Sequence, residues 1–128
     1  MGSLMEIDKE DEQLMHDEGS MKYETLDGGK KDDEGKLRYD LIPPIPLQEL
    51  ARVYTIGAKK YGDYNWQNGI AYSRIIAALL RHLYKWILGE EYDPDGQHHL
   101  DSVAWCAFAL RYFVYYQQDY TGYDDRKI

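Results

Sequence analysis

Between Leu47 and Tyr61, apolar side chains return every three or four positions. Leu47, Leu50, Ala51, Tyr54, Ala58 and Tyr61 share one stripe, the signature of an amphipathic helix. Pro43-Pro44-Ile45-Pro46 stands before it. Proline is tolerated in a first helical turn, so a helix is predicted from Pro46, with Gly62 at its C′ position. A second stripe, Ile76, Leu79, Leu80, Leu83 and Ile87, follows Ser73, a good N-cap, and ends before Gly89. Arg74, Arg81, His82 and Lys85 lie off that seam. The third helix is predicted over 97–116. There Val103 to Leu110 is apolar on every side, as in a central, buried helix.

These elements predict an all-α fold, a small bundle of three main helices. Apolar burial contributes roughly 25 cal/mol per Å², and three helices of this length enclose a thin core. An all-round apolar third helix in so short a chain predicts that subunits complete the core for one another, as a homo-oligomer. The first residues show no apolar periodicity and are dominated by acids up to Glu34, so residues 1–28 are expected to form a flexible, irregular tail. Residues 29–118 are expected to form the helical domain, and 119–128 a polar C-terminal tail.

The net charge of −8 over 128 residues belongs to the tail. Residues 1–36 hold 12 Asp/Glu against 5 Lys, and the remainder 11 Asp/Glu against 10 Lys/Arg. A duplex nucleic-acid partner would call for a basic body, which is absent. No polybasic segment or long apolar run supports a membrane partner, and the acidic start is unlike a signal peptide. A single cysteine, Cys106, excludes an internal disulfide framework and a multi-thiolate zinc site. A cytoplasmic setting is the expectation.

Two motifs mislead. Gly29 to Leu37 imitates a phosphate-binding loop, but it has one residue too many between its glycines and Leu37 where Ser or Thr belongs. Asp93-Pro94-Asp95-Gly96 lacks the remaining ligands of a calcium loop. The informative cluster is Glu90, Glu91, Asp93, Asp95, His98, His99 and Asp101, all within twelve positions. Carboxylates with one or two histidines suit Mg²⁺ or Mn²⁺ better than zinc. The same residues also read as an acidic interhelix turn, with Asp95 capping and both histidines exposed.

Arg74, Arg81, His82 and Lys85, with Lys59 and Lys60 at the end of the first helix, form a cationic strip suited to polyphosphate. Taken one at a time, such residues are ordinary solvated charges. Arg81-His82, among apolar neighbours, is the exception. Asn65 and Trp66, with Tyr61 and Tyr64, offer a purine-edge partner and stacking surfaces. With thirteen tyrosines in the chain, ordinary core packing competes with that reading. Cys106, mid-helix without a flanking base, reads as a packing residue.

One string ties these pieces together. Lys31-Asp32-Asp33-Glu34-Gly35-Lys36-Leu37-Arg38-Tyr39-Asp40-Leu41-Ile42-Pro43-Pro44 is followed by Glu49 to Tyr54, Gly57-Ala58-Lys59-Lys60-Tyr61-Gly62 and Asn65-Trp66. It closes with Arg81-His82-Leu83, Gly89-Glu90, Asp93 and His99-Leu100. Over roughly residues 29–112 the chain resembles the phage dATP/dGTP diphosphohydrolase family, a MazG-like group.

The resemblance implies an all-α, oligomeric, divalent-metal-dependent enzyme that removes pyrophosphate from purine deoxynucleoside triphosphates, in the host cytoplasm if phage-encoded. MazG-like enzymes present E-x-x-E and E-x-x-D to their metals. Here His98-His99-Leu100-Asp101 resembles the second motif with His98 in place of the glutamate, and His82-Leu83-Tyr84-Lys85 offers no carboxylate.

On this basis Glu49, Glu90, Asp93, His99 and Asp101 are the candidate ligands for Mg²⁺ or Mn²⁺, with Glu90, Asp93 and Asp101 catalytic. Lys36, Arg38, Lys59, Lys60, Tyr61, Asn65, Trp66, Arg81 and His82 are the candidate substrate-binding residues. The incomplete carboxylate set keeps a second class open, a protein that sequesters a nucleotide without cleaving it, for instance a phage sponge for a host immune signal. A third is a helical assembly protein whose tail recruits a partner.

Overall fold

A computed structural model describes residues 28–127. They fall into two units divided along the chain, the first running to Pro43 and the second from Pro44 onward. Within the described part of the first unit, Gly35 turns the chain at φ +77° and Tyr39–Leu41 form a single 3-10 turn. Lys31 pairs with Asp33 at 2.8 Å. Arg38 holds both carboxylate oxygens of Asp40, at 3.2 and 2.7 Å.

The second unit is a small all-α bundle. Helix α1 spans Pro44–Tyr61, starting two residues before the expected Pro46. Both prolines lie in the first turn, where their missing N–H groups would have had no intrahelical partner. Gly62, at φ +93°, ends the helix and donates its N–H to the Ala58 carbonyl at 2.8 Å, the C′ role its position predicts.

Helix α2 spans Tyr72–Ile87 with Ala71 at its N-cap, so Ser73 is not the cap. The Ser73 N–H and hydroxyl both donate to the carboxylate of Asp125. The missing cap is thus supplied from 52 residues away. Helix α3 spans His99–Tyr115, two residues shorter at its start than predicted, with His98 as N-cap. The preceding residues form a closed loop instead. Tyr92 and His98 pair across it, Asp93 N–H donates to the Gln97 carbonyl at 2.9 Å, and the Asp95 carboxylate accepts from Gln97 N–H at 2.9 Å. Among the described residues there are three α-helices, and none is long and apolar enough to cross a membrane.

Helix α3 packs against both α1 and α2. The core gathers Tyr72, Ile75, Cys106, Ala109, Phe113 and Tyr120, with Trp66, Trp105 and Tyr112 against them. The all-round apolar reading of α3 is met on one side only within a single chain, since Phe108 is 55% exposed. Two more 3-10 turns, Gln117–Asp119 and Thr121–Tyr123, follow α3. They bring the Tyr120 and Tyr123 hydroxyls to the carbonyls of Gln67 and Asn68, at 2.6 and 3.1 Å. Residues 62–71 are therefore clamped between α1 and the C-terminal segment.

Candidate functional site

Helix α2 delivers His82 and Lys85, the closed loop delivers Glu90 and Asp93, and the first residue of α3 delivers His99. His99 is fully buried, with relative exposure 0%, yet both ring nitrogens are engaged. Its Nε2 lies 2.7 Å from Glu90 Oε2, and its Nδ1 lies 2.8 Å from His82 Nδ1. One ligand atom each from Glu90, Asp93 and His99 lie within 4.8 Å of one another. Two carboxylates and an imidazole are a donor set that suits a divalent cation. Lys85 Nζ stands 3.7 Å from Asp93 Oδ1, occupying the carboxylate with a surface cation. Burial holds the His82 ring below the usual imidazole range, with Asp93 opposing and the His99, Arg81 and Lys85 charges reinforcing it.

The burial of His99 removes the bland reading in which both histidines are exposed; that description fits neither ring well. His98 is half-buried and caps α3. Its Nδ1 accepts from Leu100 N–H at 3.0 Å, which makes Nε2 the donor to Glu91 at 2.9 Å.

Glu49 and Asp101 stand apart from the Glu90–Asp93–His99 group. They line a neighbouring cavity of about 710 Å³ with Arg52, Lys60, Tyr92 and His98. Glu49 is paired with Arg52 at 3.1 Å. Burial raises the Asp101 pKa, and Glu49 pushes it the same way against His98 and Arg52.

A larger cavity of about 1020 Å³ is lined by α1, the 62–71 loop, α2 and α3. Lys60, Tyr61, Asn65, Trp66 and Arg81 all face it, along with Arg74, Gln97 and Trp105. Trp66 is not a free stacking plate. Its ring lies 4.9 Å from Tyr112, 5.7 Å from Phe113, 5.9 Å from Tyr54 and 6.1 Å from Trp105, centroid to centroid. Tyr61 and Tyr64 are the exposed aromatics there, at 69% and 71%. Tyr64 adopts a left-handed φ of +59°, rare for a bulky side chain.

Cys106 also borders this cavity, but burial pushes its thiol up to about 11, far from a thiolate nucleophile. Lys60 and Gln97 line both cavities. Lys59 is exposed in the last turn of α1, and neither cavity has it among its lining residues. Lys36 and Arg38 belong to the other unit.

Sequence reasoning missed the His82–His99 contact, which no local spacing across 17 residues signals. It also missed Gln97 and Trp105, which carry no motif of their own.

The helical bundle thus carries a carboxylate–histidine group and, as a separate feature, a cavity lined by Lys60, Arg74 and Arg81. The chain belongs to the dATP/dGTP diphosphohydrolase, N-terminal family, whose model matches residues 27–126. It is 35% identical over 99 residues to a dATP/dGTP diphosphohydrolase of Salmonella phage PMBT28, a match that covers 77% of this chain. The same match covers 33% of the relative, so the chain spans about a third of that protein's length. No solved structure matches it.

Proposed function

We propose that the chain hydrolyses purine deoxynucleoside triphosphates, dGTP or dATP, to the monophosphate and pyrophosphate, using Mg²⁺ or Mn²⁺. The observation that carries this reading is the convergence of Glu90, Asp93 and a fully buried His99, in a chain of this family. These three residues would hold the ion, which supplies Lewis-acid polarisation of the phosphates when bound.

Lys60 and Arg81, on the wall of the larger cavity, offset the triphosphate charge. Tyr61 and Asn65, on the same wall, hold the base by stacking and hydrogen bonding. Asp101, on the wall of the neighbouring cavity, is the carboxyl group assigned to proton transfer. Water oxygen bonds to the α-phosphorus, the bond to the bridging α–β oxygen breaks, and pyrophosphate leaves with that oxygen.

The assembled protein is proposed to be a homo-oligomer. Leu80, Tyr84, Ile87 and Leu88 recur at helical spacing and are 42%, 60%, 59% and 86% exposed. That stripe, with Phe108 of α3, is the apolar surface a second copy would cover. The near-balanced charge of residues 37–128 argues against duplex nucleic acid as a partner.

Incubation of the chain with dGTP and dATP in Mg²⁺ or Mn²⁺ is expected to yield dGMP or dAMP plus pyrophosphate. Asp93→Asn is expected to lower turnover by about 100-fold or more. Diphosphate products, or full turnover in Asp93→Asn, would overturn the assignment. A second reading, nucleotide capture without cleavage, draws support from the cations at two of the carboxylates, Lys85 at Asp93 and Arg52 at Glu49. Tight, metal-independent binding with no product would favour it.

A further inference from the structure

The contacts of His99 restrict where protons can sit. A carboxylate only accepts, so the 2.7 Å contact with Glu90 requires His99 Nε2 to donate. A neutral His99 then has a lone pair at Nδ1, and the 2.8 Å contact there requires His82 Nδ1 to donate. His82 is left with its lone pair at Nε2. With no ion bound, the chain of donors therefore runs from His82 through His99 to Glu90.

A cation held by His99 Nε2 occupies the position of that proton. A neutral, metal-bearing imidazole carries its one proton on the other nitrogen and hands it to an acceptor behind, which fixes the ring for the ion. Here the nitrogen behind is His82 Nδ1. It can accept only after giving up its own proton. The hydrogen bond between the two rings must then reverse.

We propose that His82 is the positioning residue for His99 as a metal ligand, and that its ring proton sits on Nδ1 without the ion and on Nε2 with it. This rests on the reading that Glu90, Asp93 and His99 hold a divalent cation. The proton balance closes. The Nε2 proton of His99 leaves to solvent, the bridging proton passes from His82 Nδ1 to His99 Nδ1, and solvent returns one proton to His82 Nε2. Each ring carries one proton before and after, so the exchange itself adds no charge to either ring. The outer nitrogen of His82 thereby becomes a donor in the loaded protein and is an acceptor in the empty one.

The test uses the full chain with ¹⁵N-labelled histidine. Long-range ¹H–¹⁵N correlation spectra are recorded after chelation and at saturating Zn²⁺, a diamagnetic stand-in for Mn²⁺, beside calorimetry with Mn²⁺ and Zn²⁺. The expected result is a proton on His82 Nδ1 and His99 Nε2 in the chelated protein, with both positions exchanged on loading. Three findings would overturn the proposal: an ion bound with His82 unchanged, an ion bound directly at His82 Nε2, or Nε2–H on His82 already present after chelation. No heat with either metal, with the chelated tautomers as expected, would instead overturn the underlying metal reading and the proposal with it.

Two variants separate positioning from packing. His82→Asn keeps a side-chain acceptor for His99 and is expected to bind Mn²⁺ within about threefold of the parent. His82→Ala is expected to weaken binding roughly 10- to 100-fold. Equal losses in both, at unchanged melting temperature, would also refute the role.

Discussion

The hydroxyl-bearing end of the Tyr123 ring lies so close to Gly69 that a Cβ at that position would overlap it. Gly69 also sits at φ +112°, a backbone region that side-chain-bearing residues rarely adopt. The contact seals the 62–71 loop, which lines the larger cavity, under the C-terminal segment. Gly69→Ala is expected to displace Tyr123 and cost about 1–3 kcal/mol of unfolding free energy, from backbone strain and the lost contact together. Urea unfolding followed by tryptophan fluorescence measures this. A variant as stable as the parent would mean the segment is not seated there.

The other anchor of that segment is electrostatic. Asp125 accepts from the N–H and hydroxyl of Ser73, and these hydrogen bonds hold its carboxyl below the usual value of 3.8. A depressed carboxylate contributes stability that is complete above pH 3.8 and fades as pH falls through its lower folded value. The C-terminal segment is therefore expected to loosen as pH falls below 3.8. Asp125→Asn is expected to loosen it at neutral pH as well. Hydrogen exchange of the amides around Ser73 and Tyr123 reads both effects; protection unchanged in Asp125→Asn would count against the anchor.

These two anchors mark the limit of what local pattern reveals. The helices were legible because Leu47 through Tyr61 and Ile76 through Ile87 repeat with the period of a helix, and because Gly62 and Gly89 stop them. Their starts were less so. Ser73 looks like a cap in sequence, but its partner is Asp125, 52 positions away. The polar composition of 119–128 conceals a buried tyrosine, Tyr120, whose hydroxyl serves the Gln67 carbonyl.

For the candidate site, clustering in sequence identified Glu90, Asp93 and His99 because one short loop carries them. Two further candidate carboxylates, Glu49 and Asp101, line a cavity that none of those three borders. On α3, position 101 is two residues beyond 99, and a step of two turns a side chain away from its neighbour's face. His82 is brought to His99 by the packing of α2 on α3, which single-sequence spacing does not encode. Trp66 reads as a stacking surface because an indole can stack on a base; it does line the larger cavity, but four surrounding rings also pack against it.

The exposed stripe on α2 yields a prediction about assembly. Leu80, Tyr84, Ile87 and Leu88 would leave an apolar ribbon in water on an isolated chain. Burying each such side chain contributes roughly 1.5–3 kcal/mol, and each 1.4 kcal/mol is about tenfold in affinity. Light scattering is expected to give a multiple of 15.1 kDa for the parent. Ile87→Lys combined with Leu88→Lys is expected to raise the dissociation constant by roughly 100-fold or more. A parent that elutes as a stable 15.1 kDa monomer would refute the assembly.

At Asp101 the effect on stability and the proposed catalytic role can be tested apart. Burial, helped by Glu49, raises its carboxyl pKa above 3.8, so ionisation is harder in the folded chain than in the unfolded one. The unfolded state loses its proton first. Stability therefore falls as pH rises from 3.8 through the folded value, and the deficit persists at neutral pH. Asp101→Asn keeps the shape and removes the charge, and is expected to raise the melting temperature at pH 7 while leaving it little changed at pH 3. If Asp101 carries a proton in the reaction, the same variant is expected to lower kcat by about 100-fold or more and to remove one limb of the pH–rate profile. Higher stability with full turnover would show that Asp101 shapes its cavity without taking part in the chemistry.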